Sequence, residues 1–194
     1  MTDDIVPPSK PLAPPAHTPG YQVREWLAGN PQHAMWRAIR VHDGRPVVLK
    51  IPVAPQPTPL DIARLHHEVE ITGLLPEDAV VRALSVERWD AGYALVIDDT
   101  GGTAMSVRIS QQMAVRTVLE LGLAVAGAVA AVHAHGVIHK DLNPANIIVD
   151  RDQHVRLTDF GYAVKLARET AREIAPKALE GTLAYMSPDR KSVV

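Results

Sequence analysis

Three side chains in the segment from His139 to Gly161, HKDLNPANIIVDRDQHVRLTDFG, carry the oxygen atoms that phosphoryl transfer requires: Asp141, Asn146 and Asp159. Moving a phosphoryl group asks little covalent work of a protein. It asks for oxygen ligands that hold magnesium and for an acceptor of the attacking hydroxyl's proton. Asp141 is the candidate for that acceptor, or for the group that orients the hydroxyl, a role set by hydrogen-bond reach rather than by a high pKa. Asn146 and Asp159 are the candidate metal ligands, because Mg2+ is a hard ion that prefers oxygen and keeps some of its waters. Each of the three taken singly is an ordinary turn residue. The apolar run Ile147, Ile148 and Val149 joins the two short loops that carry them.

The rest of the chain must supply the elements that hold these loops. Its 194 residues are 46% hydrophobic and 22% charged, a balance that suits a globular chain with a core. The length is about one domain's worth by the prior of ~100–200 residues per domain. A formal net charge of −2 leaves no basic footprint, so neither nucleic acid nor an acidic membrane surface is favoured as a partner. There is no cysteine, which excludes disulfides and thiolate metal sites and fits a reducing compartment. The first twenty residues lack the apolar core and basic start of a secretory signal. Cytoplasmic placement is the expectation.

Prolines at 7, 8, 11, 14, 15 and 19, with few large apolar groups between them, predict a disordered leader over residues 1–19. From Tyr21 the pattern predicts strands over Tyr21 to Leu27, Ala34 to Val41 and Pro46 to Ile51, the last two joined by a tight turn at His42-Asp43-Gly44. Thr58-Pro59-Leu60-Asp61 opens a helix that runs to about Leu75, with Ile62, Leu65, Val69 and Thr72 on one face. Ala79 to Glu87 and Tyr93 to Asp98 read as two further strands. Residues 114–134 form a very apolar segment whose charge-free core falls short of the ~20 residues that span a bilayer. With Arg116 and Glu120 before that core and His133 and His135 after it, a buried helix is expected, and no membrane span.

The order His-basic-Asp, Asn five positions on, then Asp-Phe-Gly resembles the catalytic and metal loops of protein kinases. That resemblance implies an α+β, bilobal kinase-like fold: a small β-rich N-lobe with one helix and a hinge over 20–100, and an incomplete, mainly helical C-lobe over 101–188. It also implies ATP and Mg2+ as cofactors. Lys50, at the end of the strand VVLK, would contact the α and β phosphates, and Glu68, rather than the competing Glu70, would hold Lys50. Val48 would roof the adenine and Ile148 would floor it. Asp98 and Thr100 would lie on the hinge, Phe160 would set the direction of Asp159, and Asp141 and Asn146 would keep the roles given above.

The phosphate-covering loop departs from the pattern. LAGNPQHAMWRA keeps only Gly29 at a suitable place, and Pro31 lacks the amide hydrogen that a phosphate grip uses. Lys140 replaces the usual arginine, and Asn143 stands where a phosphate-neutralising lysine is expected. HKDLNPANI, the hinge VIDDTGG and LEGTLAYMSP together resemble the amino-terminal kinase-like module of bacterial hybrid proteins that also carry AAA-type ATPase, GAF and sensor histidine kinase domains. In LEGTLAYMSP, Thr182 would orient the acceptor and Ser187-Pro188 would begin the anchor of the large lobe; Thr170 or Thr182 would be candidate autophosphorylation sites.

The tail Asp189 to Val194, DRKSVV, leaves that pattern, so a truncated chain with a non-native tail over 189–194 is expected, inactive by itself. The implied activity of the intact protein is transfer of the ATP γ-phosphate to a serine or threonine hydroxyl of a protein substrate. The alternatives are a pseudokinase-like regulatory module and, more distantly, a small-molecule phosphotransferase.

Overall fold

Alternating apolar residues separated by turn formers produce an antiparallel sheet of five strands in the order β1-β2-β3-β5-β4. The computed structural model describes residues 18–29, 33–53, 57–89, 92–109, 111–166 and 182–185. The leader up to 17, Pro31 and Gln32, Thr170, Ser187-Pro188 and the tail 189–194 lie outside them. The strands are β1 (Tyr21–Gly29), β2 (His33–Arg40), β3 (Pro46–Pro52), β4 (Ala83–Trp89) and β5 (Gly92–Asp98). Chain contacts divide the molecule into two units, the first comprising Met1–His66 with Ala83–Asp99 and the second His67–Arg82 with Thr100–Val194.

In the first unit, β2 buries alternate residues, Ala34, Trp36 and Ala38, against Val47, Leu49 and Val96. β3 is the central strand, with Lys50 opposite Met35 on β2 and Leu95 on β5. The turn between β2 and β3 works as the sequence suggests: Gly44 takes a positive φ of 71°, and Arg40 grips Asp43 at 2.6 Å. That hydrogen bond is the main reason the Asp43 carboxyl is held below the usual carboxylate range.

Helix α1 (Pro59–Gly73) starts with the expected cap. The Asp61 amide donates to Thr58 Oγ1 at 3.2 Å, and Asp61 Oδ2 accepts from the Thr58 amide at 2.9 Å. The helix buries Leu65, Glu68, Ile71 and Thr72. After it the structure departs from expectation. Residues 79–82 do not belong to β4; instead Val80 forms a parallel bridge with Leu157, closed by hydrogen bonds from the Val81 amide to the Leu157 carbonyl (2.8 Å) and from the Leu157 amide to the Ala79 carbonyl (2.9 Å). An apolar strand-like pattern tells a segment to be extended but not which neighbour it pairs with.

The second unit continues with β6 (Thr103–Ala104), α2 (Met105–Ile109), α3 (Val115–Ala134), β7 (Val137–Ile138), a 3-10 turn (Pro144–Asn146), β8 (Ile147–Val149), β9 (Val155–Leu157), β10 (Val164–Lys165) and a 3-10 turn at Leu183–Tyr185. β6, β8 and β9 form one small sheet, and β7 pairs with β10. Gly102 is required for this arrangement, since a Cβ there would stand 2.6 Å from Ile148 Cγ2 and 3.0 Å from the Val149 carbonyl. The core gathers Ile71, Leu75, Val80, Val132, Leu157 and Phe160. The C-terminal half was expected to be mainly helical. Among the described residues it holds one long helix and one of five residues beside five short strands.

The expectation of a buried α3 is also corrected. Leu121, Ala128 and Val132 face the core, while Val115 and Leu123 are each 75% exposed and Val118 and Leu119 lie open as well. One face packs and the opposite face does not. At 20 residues α3 is long and apolar enough to cross a membrane by length and composition, so length does not separate the two readings. The packing of Val132 with Val137 and Leu157 is what a core helix shows. Its end is a standard glycine stop: Gly136 takes φ 69°, and its amide donates to the His133 carbonyl at 2.9 Å.

Candidate active site

The loops that carry Asp141, Asn146 and Asp159 lie between β7 and Gly161, all within the second unit. β7 delivers His139, the Pro144–Asn146 turn carries Asn146, β8 and β9 form a hairpin, and the chain leaves β9 through Thr158, Asp159 and Phe160. Lys140 and Asp159 both have φ of 67°, a left-handed backbone that non-glycine residues seldom adopt. Such positions persist where the surroundings over-determine them, and they cluster at working sites.

His139 over-determines this one. It is 5% exposed; Nε2 lies 2.9 Å from the Thr158 carbonyl, and Nδ1 accepts the Asp141 amide at 3.3 Å. A carbonyl can only accept, so Nε2 carries the proton and the ring is neutral. Burial pushes its pKa below the ordinary value, in agreement with that bonding. The ring also sits 4.5 Å from that of Phe160, which is fully buried. One imidazole thereby ties the loop of Asp141 to the segment of Asp159.

Asp141, Asn146 and Thr182 come together. Asp141 Oδ1 accepts from the Thr182 amide at 2.6 Å and from Thr182 Oγ1 at 2.8 Å. Asn146 Nδ2 donates to the Asp141 carbonyl at 2.9 Å and to Asp141 Oδ2 at 3.2 Å. The Asn146 amide nitrogen is thus spent on Asp141, which leaves its Oδ1 as the atom for a cation. The Thr158 amide donates to the Asn146 carbonyl at 3.0 Å, linking the turn to the residue before Asp159. An amide oxygen and a carboxylate suit a hard cation such as Mg2+.

The remaining candidates divide between the two units. Gly29, Val48, Lys50 and Asp98 belong to the first, and Glu68, Thr100 and Ile148 to the second. Lys50 is buried on β3; Glu68 is 2% exposed and Glu70 is exposed. A charged group so deep needs hydrogen-bonding or oppositely charged neighbours. Val48 is buried, Ile148 half-buried, and the Asp98 carboxylate is engaged by Arg45 at 3.0 Å. Three further oxygen and nitrogen ligands, Asp150, Asp152 and His154, cluster on the β8–β9 turn. There Asp150 accepts the amides of Asp152 and His154 and the guanidinium of Arg156, which accounts for it as a turn-former.

Two residues escaped the sequence reading. His139 was visible only as the first letter of the HKD triplet; its signal was its place two residues before Asp141. His67, next to Glu68, has Nε2 2.8 Å from the Ala163 carbonyl and fastens the second half of α1 to the segment after Gly161. Nothing in the local pattern pointed to it.

The model of the protein kinase domain family matches residues 33–191. Over 131 residues the chain is 27% identical to the probable serine/threonine-protein kinase PknB of Lactococcus lactis, covering 66% of this chain and 21% of that protein. It is 34% identical over 89 residues to the mouse serine/threonine-protein kinase PAK 4, covering 46% and 14%. It is 23% identical over 170 residues to the Arabidopsis thaliana serine/threonine-protein kinase TIO, covering 87% and 13%. The chain therefore spans about a fifth or less of the length of these relatives. With most of its length matched by the family, and with the loop of Asp141 and Asn146 formed as described, the chain belongs to the protein kinase family.

Proposed function

We propose that the full-length protein transfers the γ-phosphate of Mg-ATP to a serine or threonine hydroxyl of a protein substrate in bacterial signalling. The observation that carries this reading is the Asp141 cluster: a carboxylate fixed through one oxygen by Thr182 and through its backbone by Asn146, beside the segment of Asp159. Asp141 orients the substrate hydroxyl and receives its proton. Asn146 and Asp159 would hold Mg2+, which would supply neutralisation of charge on the transferring phosphate. By the family's motif, Lys50 would contact the α and β phosphates and Glu68 would be its partner. By the same motif, Val48 and Ile148 would flank the adenine, and the backbone at Asp98 and Thr100 would meet its edge. Gly29 covers the phosphates. These assignments follow the family's motif residue by residue. The resemblance of HKDLNPANI, VIDDTGG and LEGTLAYMSP to bacterial hybrid proteins supports ATPase, GAF and histidine kinase domains in one polypeptide, and the absence of cysteine fits a cytoplasmic place.

A second reading is supported by Asn143. Its neutral amide is engaged by the Asp141 carbonyl and Thr182 Oγ1 and supplies no positive charge to a phosphate, which favours a module that binds nucleotide and transfers slowly or not at all. Calorimetric titration with ATP tests the nucleotide site common to both. Binding is expected to strengthen at least tenfold with Mg2+ in the wild type and to lose that dependence in Asp159→Asn, the effect of removing a charge-bearing ligand worth about 1.4 kcal/mol or more. Equal binding with and without the metal in both proteins would remove the metal-site assignment.

A further inference from the structure

Asn143 does more in this loop than leave out a charge. It is 8% exposed and precedes the turn that carries Asn146. The Ala145 amide can only donate, so the Asn143 atom facing it at 2.9 Å is the carbonyl Oδ1. That fixes the orientation of the side chain. Nδ2 is then turned to the Asp141 carbonyl and to Thr182 Oγ1, each at 3.2 Å. Because Nδ2 donates, Thr182 Oγ1 accepts there, and its own proton goes to Asp141 Oδ1 at 2.8 Å. The Thr182 amide is a second donor to the same oxygen.

The polarity of every bond in this ring is thereby determined. Oδ1 of Asp141 has two donors, whereas Oδ2 receives, among the described residues, only the 3.2 Å contact from Asn146. A lysine in this place has three donors and no acceptor, so it would lose the bond from Ala145. The amide keeps both functions in one short side chain.

We infer that Asn143 is a positioning residue for phosphoryl transfer: it clasps the Thr182 hydroxyl against Asp141 Oδ1 and so leaves Oδ2 to meet the substrate hydroxyl. This rests on the kinase reading above. It assigns the site a neutral device for alignment in place of a cationic one, and it makes Asn143 and Thr182 a coupled pair.

Asn143→Ser separates the clasp from the turn, because a serine oxygen still accepts from Ala145 but is too short to reach Thr182. In the full-length protein this variant is expected to lower kcat about tenfold, the size of one good hydrogen bond, with KM for ATP unchanged. Thr182→Val should lower kcat equally, Thr182→Ser should recover most of that loss, and the Asn143→Ser/Thr182→Val double variant should be no worse than either single one. Hydrogen exchange supplies a readout independent of activity: the Thr182 amide should exchange about tenfold faster in Asn143→Ser while the Ala145 amide keeps its rate. Additive losses in the double variant, or unchanged exchange at Thr182, would overturn the clasp. A wild type that transfers no phosphate would remove the kinase reading, and the exchange arm would still decide whether the clasp exists.

Discussion

Replacing His139 by leucine removes the link between the loop of Asp141 and the segment of Asp159, and the loss can be worked from its contacts. The Thr158 carbonyl loses a 2.9 Å partner in a buried setting, which costs about 1–3 kcal/mol. The tilted ring contact with Phe160, at a centroid distance of 4.5 Å, adds about 0.5–1.5 kcal/mol. The 3.3 Å bond from the Asp141 amide is long and adds little. A destabilisation of about 2–4 kcal/mol is expected, a large share of the ~5–15 kcal/mol that a domain has. Urea unfolding should be followed by circular dichroism, which reports α3. Acid supplies a second arm. Burial keeps the folded ring neutral, whereas the unfolded ring takes up a proton at its ordinary 6.5. Below that value the unfolded chain binds more protons, so stability present above pH 6.5 is lost as pH falls towards the depressed folded value. The wild type should show this loss and the leucine variant should not. A change under ~0.5 kcal/mol, with identical acid profiles for the two proteins, would refute the bridging role of His139.

Other substitutions probe the scaffold. Thr58→Ala removes the cap of α1 and should lower stability by about 1 kcal/mol in the same urea experiment, while Thr58→Ser recovers most of it. Gly102→Ala pushes a methyl into Ile148 and the Val149 carbonyl, and should lower stability by about 1–3 kcal/mol. Ile148 is the proposed floor of the adenine, so the same variant should raise the Kd for ATP in a calorimetric titration. His67→Phe removes the bond to the Ala163 carbonyl while keeping bulk; faster hydrogen exchange is expected over residues 163–166, with α3 unchanged.

The sequence was most legible where neighbours along the chain decide the outcome. Strands β1 to β3, the turn at Gly44 and the cap at Thr58 depend on backbone preferences and side chains a few residues apart, and they formed within about two residues of expectation. Glu68 was preferred to Glu70 on the resemblance alone, and it is the buried one of the two. Elements whose state depends on distant partners were misread. Residues 79–82 had the pattern of a strand but pair with Leu157, more than seventy positions away. α3 is apolar on every side, and composition could not show that only the Leu121 face is covered. The roles of His139 and His67 rest on carbonyl groups, which leave no trace in side-chain patterns.

The central claim is that Asp141 serves the transfer of phosphate to a hydroxyl. Incubating the full-length protein with Mg2+ and γ-labelled ATP, then reading label on serine and threonine residues, tests it directly. The wild type should incorporate phosphate, and Asp141→Asn should do so at least about a hundredfold more slowly, the low end of what a positioned acid or base contributes. Equal incorporation by the two proteins would contradict the account.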